Sequence, residues 1–254
     1  MALLQLFHRL SRLFRWQLNV LHFHHGIRRE SDEEATWVRS TTQSLGHSFY
    51  LRETRAFQAE TVGFQEKARN WRRIEALKLY EKIGTNFIAT AHHAHDQMET
   101  WLLKWLWGAH LSGLQGMSIS DPPFIRPLLE FKKDELLDFL NEEGLEWRED
   151  ISNRDSKYLR NRLRNELIPI LQELSREGIE NRIQDLDNQS RLLEKDLEER
   201  YENWALNLGT DSGIPISMMQ EKPEFLQREI LIRFISQKTG VALPYNLLEK
   251  IFRL

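Results

Sequence analysis

Short apolar stretches alternate, along this chain, with amphipathic segments long enough for a helix, and that alternation most restricts its fold. Residues 17–24, 48–53 and 86–91 read as strands, and residues 2–15, 32–45, 66–84 and 96–107 read as helices. Strands joined through a helix run parallel, and a parallel sheet buries both faces under helices. The spacing therefore predicts an α/β fold built on a doubly wound parallel sheet. Ser31, with Glu34 three positions on, reads as a capping box opening the second helix. Gly84 reads as the stop of the third. A polar, proline-bearing connection over 118–127 leads to a helix over 133–143 that stops at Gly144, and a further helix covers 157–174.

Beyond Gly178 the pattern changes. Ile179, Ile183, Leu186, Leu193, Leu197, Tyr201, Trp204 and Leu208 step by three or four through an otherwise charged segment. A helix of about 30 residues there would reach about 45 Å. This places a first domain over 1–178, and a long linker helix with part of a helical second domain over 179–254.

Composition removes several classes of chemistry. The 254 residues include no cysteine, so a disulfide framework, cysteine-ligated zinc, iron–sulfur clusters and thiol catalysis are excluded. A formal charge of −3 means that any polyanion must be gripped by local basic patches. No apolar run approaches the roughly 20 residues of a membrane-spanning helix. No acid precedes Glu30, and Arg9, Arg12 and Arg15 give the start of the chain the look of an arginine-rich transit peptide. Leu3, Leu6, Phe7, Leu10, Leu13 and Phe14 stand at helical spacing, however, and a first helix facing the core is the preferred reading.

Three clusters carry candidate chemistry. His92, His93, His95, Asp96 and Glu99 lie where the third strand ends and a helix begins, the side of an open α/β sheet on which ligands bind. Asp96 and Glu99 share one face of the first turn, and two such carboxylates suit a hard cation such as Mg²⁺. The same acids equally complement a helix dipole. The histidines suit a transition metal, although neither His-x-His-x-Asp-His nor His-Glu-x-x-His is present. Arg154, Lys157, Arg160, Arg162 and Arg164 form a basic run broken by one acid, Asp155. Leu159, Leu163, Leu167 and Ile170 make its buried stripe, so Arg160 and Arg164 share another face and Arg162 points elsewhere. Guanidinium groups there suit phosphate or RNA backbone, and a solvated, ion-paired face is the alternative. Finally, His25 and Gly26 end the first strand, where a glycine permits a turn or close approach to a ligand.

In their order and spacing these segments resemble the tRNA(Ile)-lysidine synthetases, the resemblance covering roughly residues 1–175. His22 to Glu34 is similar to the family's HVNHGLRPESDEEA, Gln65 to Arg69 to QEAAR, and Ala89 to Gly116 to ATAHHADDQAETLLLRLLRGSGLSGLAGM. Arg126 to Leu128, Trp147 to Asn153 and Tyr158 to Arg164 resemble RPLL, WREDPSN and YLRNRIR. The resemblance implies an ATP-pyrophosphatase-like nucleotide-binding domain over 1–178 and a partial tRNA-binding domain over 179–254. It implies a ligase that adenylates C2 of the wobble cytidine of an isoleucine tRNA with a CAU anticodon. Free lysine then displaces AMP to leave lysidine. ATP and Mg²⁺ are the implied cofactors, and cytoplasm is the implied compartment. Asp96, Glu99, Arg160 and Arg162 would be catalytic, with the metal on Asp96 and Glu99. His25, Gly26, His92 and His93 would hold the nucleotide, and Arg154, Lys157 and Arg164 the RNA. Trp147 to Asn153 line the lysine or adenine pocket or only hold a turn. No membrane partner is implied, and a homodimer is left open. A non-catalytic RNA-binding relative and a histidine-metal hydrolase are the alternative functions.

Two departures stand out. His95 replaces the first Asp of the family's Asp-Asp pair, and no Ser-Gly-Gly-x-Asp-Ser phosphate loop occurs in the 254 residues. The first helix also opens without Ser, Thr, Asp or Asn to cap it. The expectation is that codons upstream of Met1 encode, in frame, an apolar strand and that loop, and that residues 1–254 alone bind ATP poorly. Sequencing the upstream DNA checks this, and a stop codon within about ten codons of Met1 defeats it.

Overall fold

The computed structural model describes residues 1–26, 30–54, 64–111, 113–148, 159–175, 178–206, 213–240 and 245–252. They pack as two compact units that interleave in sequence. One comprises Met1–His93 and Ser118–Glu149, the other Ala94–Met117 and Asp150–Leu254.

The first unit is the α/β one. Helix α1 (Ala2–Phe14) opens at Met1 with no side-chain cap and closes at Arg15, whose φ of 55° lies in the left-handed region. Strand β1 (Asn19–His24), helix α2 (Glu30–Ser44) and strand β2 (Ser48–Glu53) form a βαβ unit. β1 and β2 pair in parallel from Asn19↔Ser48 to His24↔Glu53. Because α2 begins at Glu30, Ser31 sits inside its first turn and is not the expected cap. Helix α3 (Phe64–Ile83) is followed by Gly84 with φ of 64°, the expected stop. Strand β3 is only Ile88–Ala89. The expected irregular connection contains two further strands, β4 (Ser120–Asp121) and β5 (Phe124–Ile125). β5 runs parallel to β3 and antiparallel to β4, so the described strands form two ladders, β1–β2 and β3–β5–β4. Two-residue strands carry too little period-two signal to be read in advance. Helix α5 (Lys133–Glu142) opens with Glu135 accepting from the Lys132 N–H at 2.7 Å. α1 packs on α5 through Ala2, Leu128, Leu136 and Leu140, and Arg9 donates to Glu143 at the margin.

The second unit is helical: α4 (Ala94–Leu106), α6 (Leu159–Arg162), α7 (Ile168–Leu174), α8 (Ile179–Leu206), α9 (Ile216–Gln220), α10 (Glu224–Thr239) and α11 (Tyr245–Phe252). The helix expected over 157–174 is interrupted by a π-turn, Leu163–Leu167, between α6 and α7. Pro169 has no N–H to return to the carbonyl four residues back, and widening the helix by one residue relieves the clash of its ring with that carbonyl. α8 spans 28 residues, about 42 Å at 1.5 Å each. Met98, Trp101 and Leu102 of α4 pack with Leu163, Ile168 and Ile183, so α4 and α8 share one core.

The segment after α4 is tied down by polar groups. Gly116 N–H donates to Asp187, Ser190 Oγ donates to the Leu111 carbonyl at 2.9 Å, and Arg191 donates to the Met117 carbonyl at 3.0 Å. From α4, Gln97 spans the Met117 backbone, accepting from its N–H at 2.6 Å and donating to its carbonyl at 3.0 Å. A Cβ on Gly116 would overlap the Gln97 amide, which cannot swing aside without releasing both bonds. Gly116→Ala should therefore lower stability by about 1–3 kcal/mol, the usual cost of overpacking. Urea unfolding checks this, and an unchanged midpoint would show that the amide moves freely.

Candidate active site

At the end of β1, His24 is 7% exposed, with Nε2 3.1 Å from Asp32 Oδ1. Its Nδ1 accepts from the Gly26 N–H at 3.1 Å, which leaves the ring proton on Nε2, close to the acid but not in hydrogen-bond geometry with it. Gly26 has φ of 66°, the backbone turn that the sequence pattern anticipates. His25 lies against Trp71, with ring centroids 5.2 Å apart, and His22 stacks on Phe49. Burial lowers the pKa of His22, with His24 adding to the effect. Burial also lowers that of His25, with Arg72, His24 and His22 adding repulsion. Beyond β3, His92 Nδ1 lies 2.8 Å from the Thr90 hydroxyl. His25, Gly26, His92 and His93 thus belong to the first unit, whereas His95, Asp96 and Glu99 belong to the second. Among the described residues no three His, Asp or Glu side chains converge as a metal site, so the histidine-metal hydrolase has no ligand set there.

In the second unit, α4 and the α6–π segment bring charge together. Glu99 is completely buried. Arg160 Nε donates to one of its oxygens at 2.6 Å and Arg164 Nε to the other at 2.5 Å. Arg164 Nη2 also reaches Asp96 Oδ1 at 3.1 Å, and Arg160 Nη2 reaches Thr100 Oγ1 at 3.5 Å. The shared face expected for Arg160 and Arg164 is therefore what their contacts realise. Arg162 points outward to Glu166, 3.4 Å away, apart from the cluster. Arg154 and Lys157 lie outside the described residues.

The Mg²⁺ expected on Asp96 and Glu99 can be set against these contacts. Mg²⁺ needs short oxygen bonds in near-octahedral geometry and keeps several waters. Both Glu99 oxygens are engaged by guanidinium groups, Asp96 Oδ1 receives a third N–H, and Glu99 has no solvent-exposed surface. Among the described residues two acids face two arginines, and a dication on Glu99 would have to displace both guanidinium groups. The residues do not fit the ion. Gln97 and Thr100 stand inside the 92–100 cluster in sequence without a role assigned to them, and Asp187 lies far from it. Asp187 is marked in another way, as an acid on the buried stripe of α8.

Comparison with known proteins gives this arrangement a context. Residues 1–171 match the PP-loop domain family. The chain belongs to that family. This PP-loop chain is 31% identical over 256 residues to a tRNA(Ile)-lysidine synthase of Enterococcus faecalis, covering 97% of this chain and 54% of that protein. It is 29% identical over 259 residues to the tRNA(Ile)-lysidine synthase of Chlorobaculum tepidum, covering 99% of this chain and 78% of the relative. A third such synthase, from Exiguobacterium sibiricum, is 29% identical over 237 residues, covering 90% of this chain and 55% of its own length. The chain thus spans about half the length of two of these relatives. The PP-loop fold also resembles that of the U34-tRNA thiolase NcsA of Methanococcus maripaludis. That likeness has a TM-score of 0.59 at 13% identity, covering 76% of this chain and 69% of the thiolase. No helix among the described residues is long and apolar enough to cross a membrane.

The depressed histidines of β1 set a pH dependence. His22 and His25 bind protons less readily when folded than in the unfolded chain, where histidine titrates near pH 6.5. The unfolded state then takes up more protons as the pH falls below about 6.5, and stability is lost on acidification. Thermal midpoints should fall between about pH 7 and pH 5, and His22→Gln with His25→Gln should flatten that fall. A profile unchanged by both substitutions would contradict the assignment.

Proposed function

We propose that these residues form the PP-loop part of a cytoplasmic tRNA(Ile)-lysidine synthase, a ligase acting on tRNA. The observation that carries this reading is similarity extending past residues 1–171 to 99% of the chain in a protein bearing that name. PP-loop membership supports ATP as a substrate. In the proposed reaction the C2 carbonyl oxygen of the wobble cytidine attacks the α-phosphorus of ATP, and pyrophosphate leaves. The lysine amine then adds to C2, the C2–O bond breaks to release AMP, and the amine gives up a proton. Arg160 and Arg164, held side by side, would offset negative charge on phosphate as it is transferred. His25, Gly26, His92 and His93 would serve the nucleotide, and Arg154 and Lys157 the tRNA backbone, with residues 179–254 contributing the second, tRNA-gripping part. Arg162, with its outward pair to Glu166, takes no catalytic role in this reading.

Lysine incorporation into an isoleucine tRNA transcript with a CAU anticodon, measured with ATP on the whole open reading frame that contains these residues, tests the proposal. Incorporation is the expected result, and ATP hydrolysis or exchange without it would sink the reading. A second measurement addresses the arginines. Arg160→Ala and Arg164→Ala should each weaken transcript binding and reduce the salt dependence by about one unit of slope, while Arg162→Ala should change it less. Equal slopes for all four proteins would mean that none of these side chains meets phosphate.

A further inference from the structure

Glu99 occupies an unusual position for an acid near a helix start. It is fully buried, and its two oxygens receive two different guanidinium groups, each through Nε–H. Arg160 and Arg164 are four apart on neighbouring turns, where like charges repel. Without an acid between them they would splay toward water. The carboxylate offsets that repulsion and fixes both planes from one side. Two lateral contacts complete the hold. Arg164 Nη2 meets Asp96, and Arg160 Nη2 meets Thr100 Oγ1, whose hydroxyl proton is already given to the Asp96 carbonyl at 2.8 Å. Thr100 is thereby left as an acceptor toward Arg160. The side chains of Arg160 and Arg164 nevertheless keep 32% and 29% of their surface exposed, so the cluster is buried on its acidic side and open on its basic side.

We infer that Glu99 is a positioning residue: it aligns Arg160 and Arg164 into one double-guanidinium surface for a phosphate-bearing substrate, and it is not a metal ligand. Only the identity of that substrate rests on the lysidine-synthase reading. The clamp itself rests on the contacts of α4 with the α6–π segment. It also gives the π-turn a purpose, since the widened turn begins at Leu163, between the two arginines.

The full chain, labelled with nitrogen-15 in arginine, tests the clamp without any substrate. The Nε–H signals of Arg160 and Arg164, identified by their loss in Arg160→Lys and Arg164→Lys, should exchange slowly with water. They should keep their positions as Mg²⁺ is raised to millimolar levels. Signals that shift or pass into fast exchange as Mg²⁺ saturates would overturn the proposal, because a metal on Glu99 must release both guanidinium groups. A mutant cycle adds a functional arm with the isoleucine tRNA transcript as probe. Glu99→Gln should weaken binding by about tenfold, and Glu99→Asp, which keeps the charge on a shorter stem, by less. In an Arg160→Ala/Arg164→Ala background Glu99→Gln should cost nothing more, and a full further tenfold loss there would also overturn the proposal. If the unsubstituted chain ignores the transcript, the functional reading fails, and the exchange measurement still decides the clamp.

Discussion

The pairing of one buried carboxylate with two arginines closes the helical unit. Glu99 and its partners are 61 and 65 residues apart in sequence, and they add direction to the apolar contact between α4 and the α6–π segment. Apolar packing of Met98, Trp101 and Leu102 against Leu163 and Ile168 is tolerant of rotation, because it has no preferred direction. The ion triad removes that freedom. A buried charge with its partners withdrawn is costly, on the order of several kcal/mol, so the register of α4 against α6 is set by polar satisfaction more than by shape.

The same logic recurs along α8. Asp187, Ser190 and Arg191 hold the backbone of the segment after α4, and further along Arg233 of α10 donates to Glu194 and Glu198. Glu229, also buried, lies 2.9 Å from His110. Many basic residues of this unit are therefore spent inside the protein. Arg228 and Arg233, 17% and 9% exposed, both carry acidic partners, which narrows the set that can face a polyanion.

Much of this was readable from the chain. The βαβ unit, the stop at Gly84 and the long charged helix follow from periods of two and 3.6, which local sequence encodes directly. β4 and β5 do not, since Phe124–Ile125 is too short to show a period. The break before α7 was signalled by Pro169, but Leu159, Leu163, Leu167 and Ile170 keep helical spacing across it and hide the extra residue of the π-turn. Asp96 and Glu99 show the sharper limit. Three-apart acids in a first turn serve a dipole, a cation or an arginine equally well, and the deciding partner lies some sixty residues away. On α8 the apolar stripe skips from Leu186 to Leu193, and the gap holds Asp187 and Ser190, both buried. Polar residues on a buried stripe are a legible sign of a tether, though not of what is tethered. The change of pattern at Gly178 is likewise real in sequence, while packing groups α4 with α8 across it.

The chain passes between its two units at residues 93–94, 117–118 and 149–150. Each unit is thus assembled from two pieces, and one piece of each is an insertion within the other. No single cut releases either unit whole: a break anywhere in the chain leaves at least one of them in two parts or attached to a remnant of its neighbour. Completion is also ordered during synthesis. The α/β unit lacks Ser118–Glu149 until α4 has been made, and α4 waits for α6 and α8 with its apolar face and its buried acid unmatched. Contacts of such long sequence separation form late, after the loop-closure cost has been met.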